Sequence, residues 1–247
     1  MKRVCVLGVL LASMGCLSAC SSSDSSGGGK VDTSPPPTMV VTSDKFGEAH
    51  TGDATFYTFA NGTGACLYDQ TTDFHIAALN ISDWADSAWC GACADLTGPN
   101  GTSVRVRIVD ECPDCAPGQL DLHPDAFAVL APKEQGRIQI TWSFVACDAQ
   151  GPVKYKYKDG SNPYWTAVQV RNSRFPIAKL ESSKDGASWA EAGRQGYNYF
   201  LNGGGFGSGP TQVRITAFDG TAQGATLIDT LPEVQAELEV SGQAQFQ

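Results

Sequence analysis

Four cysteines fall in the pattern Cys90-x2-Cys93, an 18-residue gap, Cys112-x2-Cys115. That is a spacing by which thiolates hold a structural zinc ion. Cys66 and Cys147 bring this set to six, while Cys5, Cys16 and Cys20 lie at the N-terminus. An even set in an exported chain is expected to form three disulfides, in preference to zinc or a redox-active Cys-x-x-Cys. Six cysteines allow 15 pairings, and spacing does not choose among them. A second chemical signal is an acid in an unexpected place. In the alternating stretch 103–110, Val104, Val106 and Ile108 share one face and Arg105 and Arg107 the other. Asp110 has the apolar parity, so it either turns out into a loop or lines a cleft. A third signal is Tyr164-Trp165. Adjacent residues of a regular strand face opposite ways. Pro163 points to an irregular segment, in which both rings can share a surface. Flat rings suit the apolar faces of β-linked glucose, a contact akin to offset aromatic stacking. Lys154, Lys156 and Lys158 alternate into one positive strand face. It reads as a solvated edge that discourages aggregation, or as an attractor of acidic polymers. His50, His75 and His123 are scattered, so no metal site is expected.

These residues need an address and a scaffold. Met1-Lys2-Arg3 is a short basic region, 4–17 is apolar, and Leu17-Ser18-Ala19-Cys20 resembles a bacterial lipobox. Residues 1–19 therefore read as a lipoprotein signal peptide and Cys20 as the lipidated residue. Residues 20–48, rich in Ser, Gly and Pro, read as a tether. No apolar run after the first 20 residues reaches the roughly 18 needed to span a bilayer. The chain has 17 Lys+Arg against 26 Asp+Glu, a formal charge of −9, which excludes a phosphate-neutralising nucleic-acid binder. Its 27 Gly and 13 Pro exclude a coiled coil. Residues 49–150 hold 13 acids and 4 bases, a net of −9, whereas 151–247 hold 9 of each, a net of 0. Two modules meeting near Gly151-Pro152 are expected.

In the first module, 52–59, 103–110 and 137–147 read as strands and Pro124–Leu130 as a short helix. Many short strands with one small helix suggest a closed β-barrel. In the second, Thr166–Arg171, 177–181, 212–218 and 226–230 read as strands. Asp159-Gly160, Asp185-Gly186 and Asp219-Gly220 read as hairpin-type turns, and the whole suggests a sandwich.

Several motifs, in order over both modules, resemble the expansin family. They are Gly52-Asp53-Ala54-Thr55-Phe56-Tyr57, Gly64-Ala65-Cys66, Cys90-Gly91-Ala92-Cys93, Val109-Asp110-Glu111-Cys112-Pro113, Leu120-Asp121-Leu122, the run from Tyr164 to Asn172, and Gly196-Tyr197-Asn198-Tyr199-Phe200. The resemblance implies an all-β fold: a six-stranded double-psi β-barrel over 49–150, then an immunoglobulin-like β-sandwich over 151–247 that binds carbohydrate. It implies a protein that binds cellulose and loosens plant cell walls without hydrolysis. The barrel's cysteines look like those of the plant-type branch, which suggests pairs Cys66–Cys90 and Cys93–Cys147, leaving Cys112–Cys115 for a local loop. Thr55, Tyr57, Asp110 and Asp121 match positions of the family's polysaccharide groove. Asp121 matches the general acid of hydrolytic barrel relatives. Tyr164, Trp165 and Tyr197 match the sandwich's aromatic platform, and Lys158 a nearby basic contact. Where the family often has an aromatic residue two positions after the first acid, this chain has Cys112.

Hydrolysis needs a second carboxylate beside Asp121. The relatives' base position falls in Thr58-Phe59-Ala60-Asn61, which offers no acid, so Asp53, in parity with Thr55 and Tyr57, is the one substitute. Asp121 also has a simpler role open to it, capping the helix at Pro124. A non-hydrolytic wall-loosening monomer without cofactor is the expected protein. Its partners would be cellulose and other wall polysaccharides, with acidic pectin or peptidoglycan as further candidates, and it would meet a membrane only through its lipid. The alternatives are a weak β-glucanase or peptidoglycan-cleaving enzyme using Asp121, and a pure binding module on an inert barrel.

Overall fold

The computed structural model describes residues 45–58, 61–221 and 223–247. The signal segment, Cys20 and the tether as far as residue 44 lie outside the described residues, as does Phe59. Six strands close a barrel: β1 (Lys45–Phe56), β2 (Ile76–Asn80), β3 (Cys93–Thr97), β4 (Ser103–Cys112), β5 (Leu120–Leu122) and β6 (Ile138–Val145). Their hydrogen-bonded order is β1-β5-β2-β4-β3-β6. The pairs β1/β5 and β2/β4 are parallel and the others antiparallel. This is the expected double-psi barrel. The alternation seen in sequence becomes its filling: Val104, Val106 and Ile108 of β4, and Ile138, Ile140, Trp142 and Phe144 of β6, are all buried. Each large aliphatic so buried contributes roughly 1.5–3 kcal/mol.

β1 begins at Lys45, inside the stretch that composition assigns to the tether. Phe46 is the reason. It is 4 % exposed, pairs with Phe144 in register, and its ring lies 6.0 Å from Phe144 and 5.5 Å from Phe175. The expected short helix is Pro124–Leu130, with Pro124 in the first turn. Its cap is His123, whose Nδ1 accepts from the Asp125 amide at 3.1 Å. Asp121 does not serve as the cap.

The remaining strands are β7 (Lys154–Tyr157), β8 (Thr166–Arg171), β9 (Ile177–Ser183), β10 (Ala190–Gln195), β11 (Tyr199–Asn202), β12 (Thr211–Ala217), β13 (Thr226–Leu231) and β14 (Glu239–Ser241). They run β13-β12-β9-β10-β11-β8-β7-β14. β10 pairs with β9 through Ala190 to Ala192 and with β11 from Gly193 onward, so it passes between the sandwich's two sheets. Tyr155, Tyr157, Val168, Leu180, Val213 and Ile215 are fully buried in its core. The buried Tyr155 hydroxyl donates to Asp229 at 2.7 Å. Gly160, Gly186 and Gly220 have φ of +80°, +72° and +82°, the left-handed backbone that the Asp-Gly turns require.

Barrel and sandwich fall in one compact unit. The disulfides are Cys66–Cys90, Cys93–Cys147 and Cys112–Cys115, so all four cysteines of the zinc-like pattern are oxidised in pairs.

Candidate functional site

The parity puzzle at Asp110 is resolved by a β-bulge. β4 pairs with β2 as Ile108 with Ala77, then Asp110 with Ala78, so Val109 is an extra residue. A bulge shifts the side-chain alternation. Asp110 therefore joins the outer face although Val104, Val106 and Ile108 point inward. Ala78 also pairs with Asp121 of β5, and Asp121 with Thr55 of β1. Thr55, Asp121, Ala78 and Asp110 thus form one row across four strands. Two strand spacings put the Asp121 and Asp110 backbones about 9–10 Å apart. Ala78 is the small floor between the two acids.

The row is bonded internally. The Thr55 hydroxyl donates to Asp121 Oδ1 at 2.6 Å and accepts from Gln119 Nε2 at 3.2 Å. Asp110 Oδ1 accepts from the amides of Ala65 at 2.7 Å and Glu111 at 2.9 Å, and its Oδ2 from the Tyr57 hydroxyl at 3.4 Å. The Gly64-Ala65-Cys66 motif makes this possible. A Cβ on Gly64 would lie 2.2 Å from the Val109 carbonyl oxygen and 2.7 Å from the Asp110 Cβ. Glycine is needed there so that the next amide can reach the acid.

Burial pushes the Asp121 carboxyl above the usual carboxylate range. The Thr55 hydrogen bond and Arg137 oppose that rise, and Asp110 adds to it. The Tyr57 hydroxyl is pushed up by burial and by both acids, so it stays a neutral donor. A raised carboxyl pKa stabilises the fold at pH values below the ordinary value of 3.8, and that contribution is lost as pH rises through the raised value. Asp121→Asn is therefore expected to remove a decline in melting temperature that the parent shows above about pH 4. Thermal melts of both proteins across mildly acidic pH check this; parallel curves would contradict it.

Asp53, the one substitute base, is occupied. Arg137 Nη1 binds its Oδ2 at 2.6 Å, and the Gln139 amide donates to its Oδ1. Arg137 also reaches Gln119 Oε1 at 3.4 Å. Gln119, Arg137 and Gln139 line the same outer face and carry no sequence signature. The β1/β6 register, Asp53 opposite Gln139, and the β1/β5 register, Ala54 beside Leu120, bring them in.

On the sandwich, residues 162–165 form a tight turn. Asn162 and Trp165 exchange backbone hydrogen bonds at 2.8 and 3.2 Å, and Asn162 Oδ1 accepts from the Tyr164 amide at 2.9 Å. Tyr164 and Trp165 are thus outside a regular strand, and the opposite-facing rule does not bind them. Tyr164 is 74 % exposed, and Trp165 and Tyr197 are half-buried. Lys154 pairs with Arg171 and Lys156 with Gln169, which places the lysines on the β8 face that carries Gln169 and Arg171. β14 covers the flank of β7, so the lysine strand is not the sheet's edge. Lys158 continues their alternation, its amide bonded to the Ala167 carbonyl at 2.9 Å. Tyr197 sits in the turn between β10 and β11, its ring 6.0 Å from that of Tyr199. The same face meets the barrel at Arg171 and Asp69, 2.5 Å apart.

No family model matches the chain. Expansin-YoaJ of Bacillus subtilis is 33% identical over 197 residues, covering 78% of this chain and 82% of that protein. Expansin-like protein 1 of Dictyostelium discoideum is 31% identical over 206 residues, covering 78% of this chain and 70% of its own. The crystal structure of an expansin from Clavibacter michiganensis superposes with a TM-score of 0.73 at 27% identity, covering 81% of this chain and 98% of that one. A variant of the Clavibacter expansin, solved in complex with cellohexaose, superposes equally well.

Proposed function

Because the chain belongs to the expansin family, we propose that it grips cellulose and related wall glucans and loosens the wall without cutting it. One observation carries the non-hydrolytic reading: the two described carboxylates offered as partners of Asp121, Asp53 and Asp110, are both engaged. Asp53 is held by Arg137 and Gln139. Asp110 is held by two amides and a phenol. A proton donor without a base to activate water does not complete glycoside cleavage. The same groups are suited to competition. Thr55, Tyr57, Asp110 and Asp121 would exchange hydrogen bonds with a glucan and replace its bonds to neighbouring chains. Tyr164, Trp165 and Tyr197 would stack on its sugar rings, with Lys158 beside them. The cellohexaose complex of the Clavibacter relative supports a glucan ligand.

In this reading 45–150 is the groove domain and 151–247 the carbohydrate-binding domain. The protein is an exported monomer, anchored through Cys20 and held off the membrane by its tether. Lys156 and Lys158, which have no acidic partner within ion-pair distance among the described residues, would attract pectin or peptidoglycan. The test is a paired assay on the tether-free protein. Cellulose pull-down and mechanical weakening of paper are expected, with no reducing sugar released above a heat-denatured control. Sugar release abolished by Asp121→Asn would overturn the reading.

A further inference from the structure

The turn that carries Tyr197 is bonded to the barrel as well as to its own sheet. The Asn198 side chain donates to the Cys66 carbonyl at 3.1 Å, and Gln169 Nε2 donates to the same oxygen at 2.8 Å. The Ser87 hydroxyl donates to the Gln195 carbonyl at 2.8 Å and accepts from the Asn198 amide at 3.2 Å. Four of the five partners are inside: Cys66, Ser87 and Gln169 are 0 % exposed and Asn198 5 %, while Gln195 is half-buried. The two barrel anchors are tied to each other, since Cys66 is bonded to Cys90, whose amide donates to the Ser87 carbonyl at 3.1 Å. The anchoring turn is also unusual. Ala85, Asp86 and Ser87 have φ of +48°, +54° and +66°, three consecutive non-glycine residues in the left-handed region. Such conformations persist only where surrounding bonds over-determine them. Gly196 accommodates the approach, because a Cβ there would lie 2.7 Å from Asp86 Oδ1.

The other side of the same peptide segment faces the groove. The Cys66 amide donates to the Val109 carbonyl at 3.1 Å, and its neighbour Ala65 donates to Asp110 at 2.7 Å. One residue, Cys66, therefore joins the bulge that exposes Asp110 to the turn that carries Tyr197, through its N–H on one side and its carbonyl on the other. We propose that Asn198 and Gln169 are positioning residues, which by donating together to the Cys66 carbonyl hold the Tyr197 turn in line with the Asp110 groove, so that one glucan chain engages both. This rests on the glucan-gripping function above. Two surfaces held at a fixed offset bind one long chain far more tightly than either surface alone, by roughly 10²–10⁴, provided that the geometry lets both engage.

The test compares cellotriose, too short to engage both surfaces, with a soluble uncharged long-chain β-glucan. Two variants are used. Asn198→Gly keeps the left-handed backbone, at φ +63°, and removes only the side-chain donor. Gln169→Glu removes the other donor at similar volume and keeps the acceptor of Arg171 Nε. The parent should bind the long chain at least about 100-fold more tightly than cellotriose. Each variant should lose tenfold or more of that advantage while its cellotriose affinity stays within about twofold. Melting temperatures are recorded alongside, because a purely structural role would lower them and leave the chain-length advantage intact at 25 °C. Variants that keep the full advantage overturn the positioning role with the glucan function intact. A parent that binds neither ligand overturns the glucan function itself.

Discussion

Trp165→Ala is expected to weaken cellulose binding by about 30-fold or more, read as the retained fraction in a pull-down titration. The argument starts from the turn. Asn162 and Trp165 close it by exchanging backbone bonds, so the backbone survives the loss of the indole. What disappears is a rigid, half-buried aromatic surface beside the 74 % exposed Tyr164. Aromatic anchors of this kind carry about 2 kcal/mol or more of a binding interface, and 2 kcal/mol is roughly a 30-fold change in affinity. Tyr164→Ala should cost less, because a largely exposed ring has less fixed geometry. Thermal stability should change little in either case. Undiminished binding by the Trp165→Ala protein would remove the sandwich face from the ligand's path.

Asp110→Ala is expected to abolish wall loosening while leaving the sandwich's own affinity for short glucans largely in place. Its carboxylate satisfies the Ala65 and Glu111 amides and holds the Tyr57 hydroxyl. Removing it strands donors in a half-buried loop, at roughly 1–3 kcal/mol each. The stranded loop is also the one that reaches the sandwich through Cys66. Asp110→Asn is the informative companion. It keeps an acceptor for the two amides and loses the charge, so it should fold like the parent and isolate the acid's contact with glucan. Paper weakening unchanged in the Asp110→Asn protein, with binding retained, would mean that the barrel is an inert support. The mechanical assay, run beside pull-down, separates these outcomes.

How much of this was legible beforehand differs by residue. The helix Pro124–Leu130 and the strand Thr166–Arg171 stand where their patterns place them, because a helix start and a buried β-branched run are local signals. Strands β2, β3 and β5 carried no readable alternation. β2 is buried on every residue, so it has no exposed face to alternate against, and β5, with Asp121 between two buried leucines, is only three residues long, too short to show a period. The pairing of the six cysteines came from likeness to a family, and the structure has those three bonds. The tether boundary was misread by four residues, because one buried phenylalanine outweighed the composition around it.

The chain's order of residues determined, unaided, an acidic first module and a neutral second one, the β character of both, the cysteine count and the aromatic pair at the proline turn. Those properties depend on composition and on neighbours a few positions away. The outward aim of Asp110 needed β2 beside β4 to define a bulge. The occupation of Asp53 needed Arg137, 84 residues away. The tie between groove and rings needed Gln169 and Asn198, 103 and 132 residues from Cys66. No local period encodes such contacts; they exist only once the barrel has closed and the sandwich has docked on it.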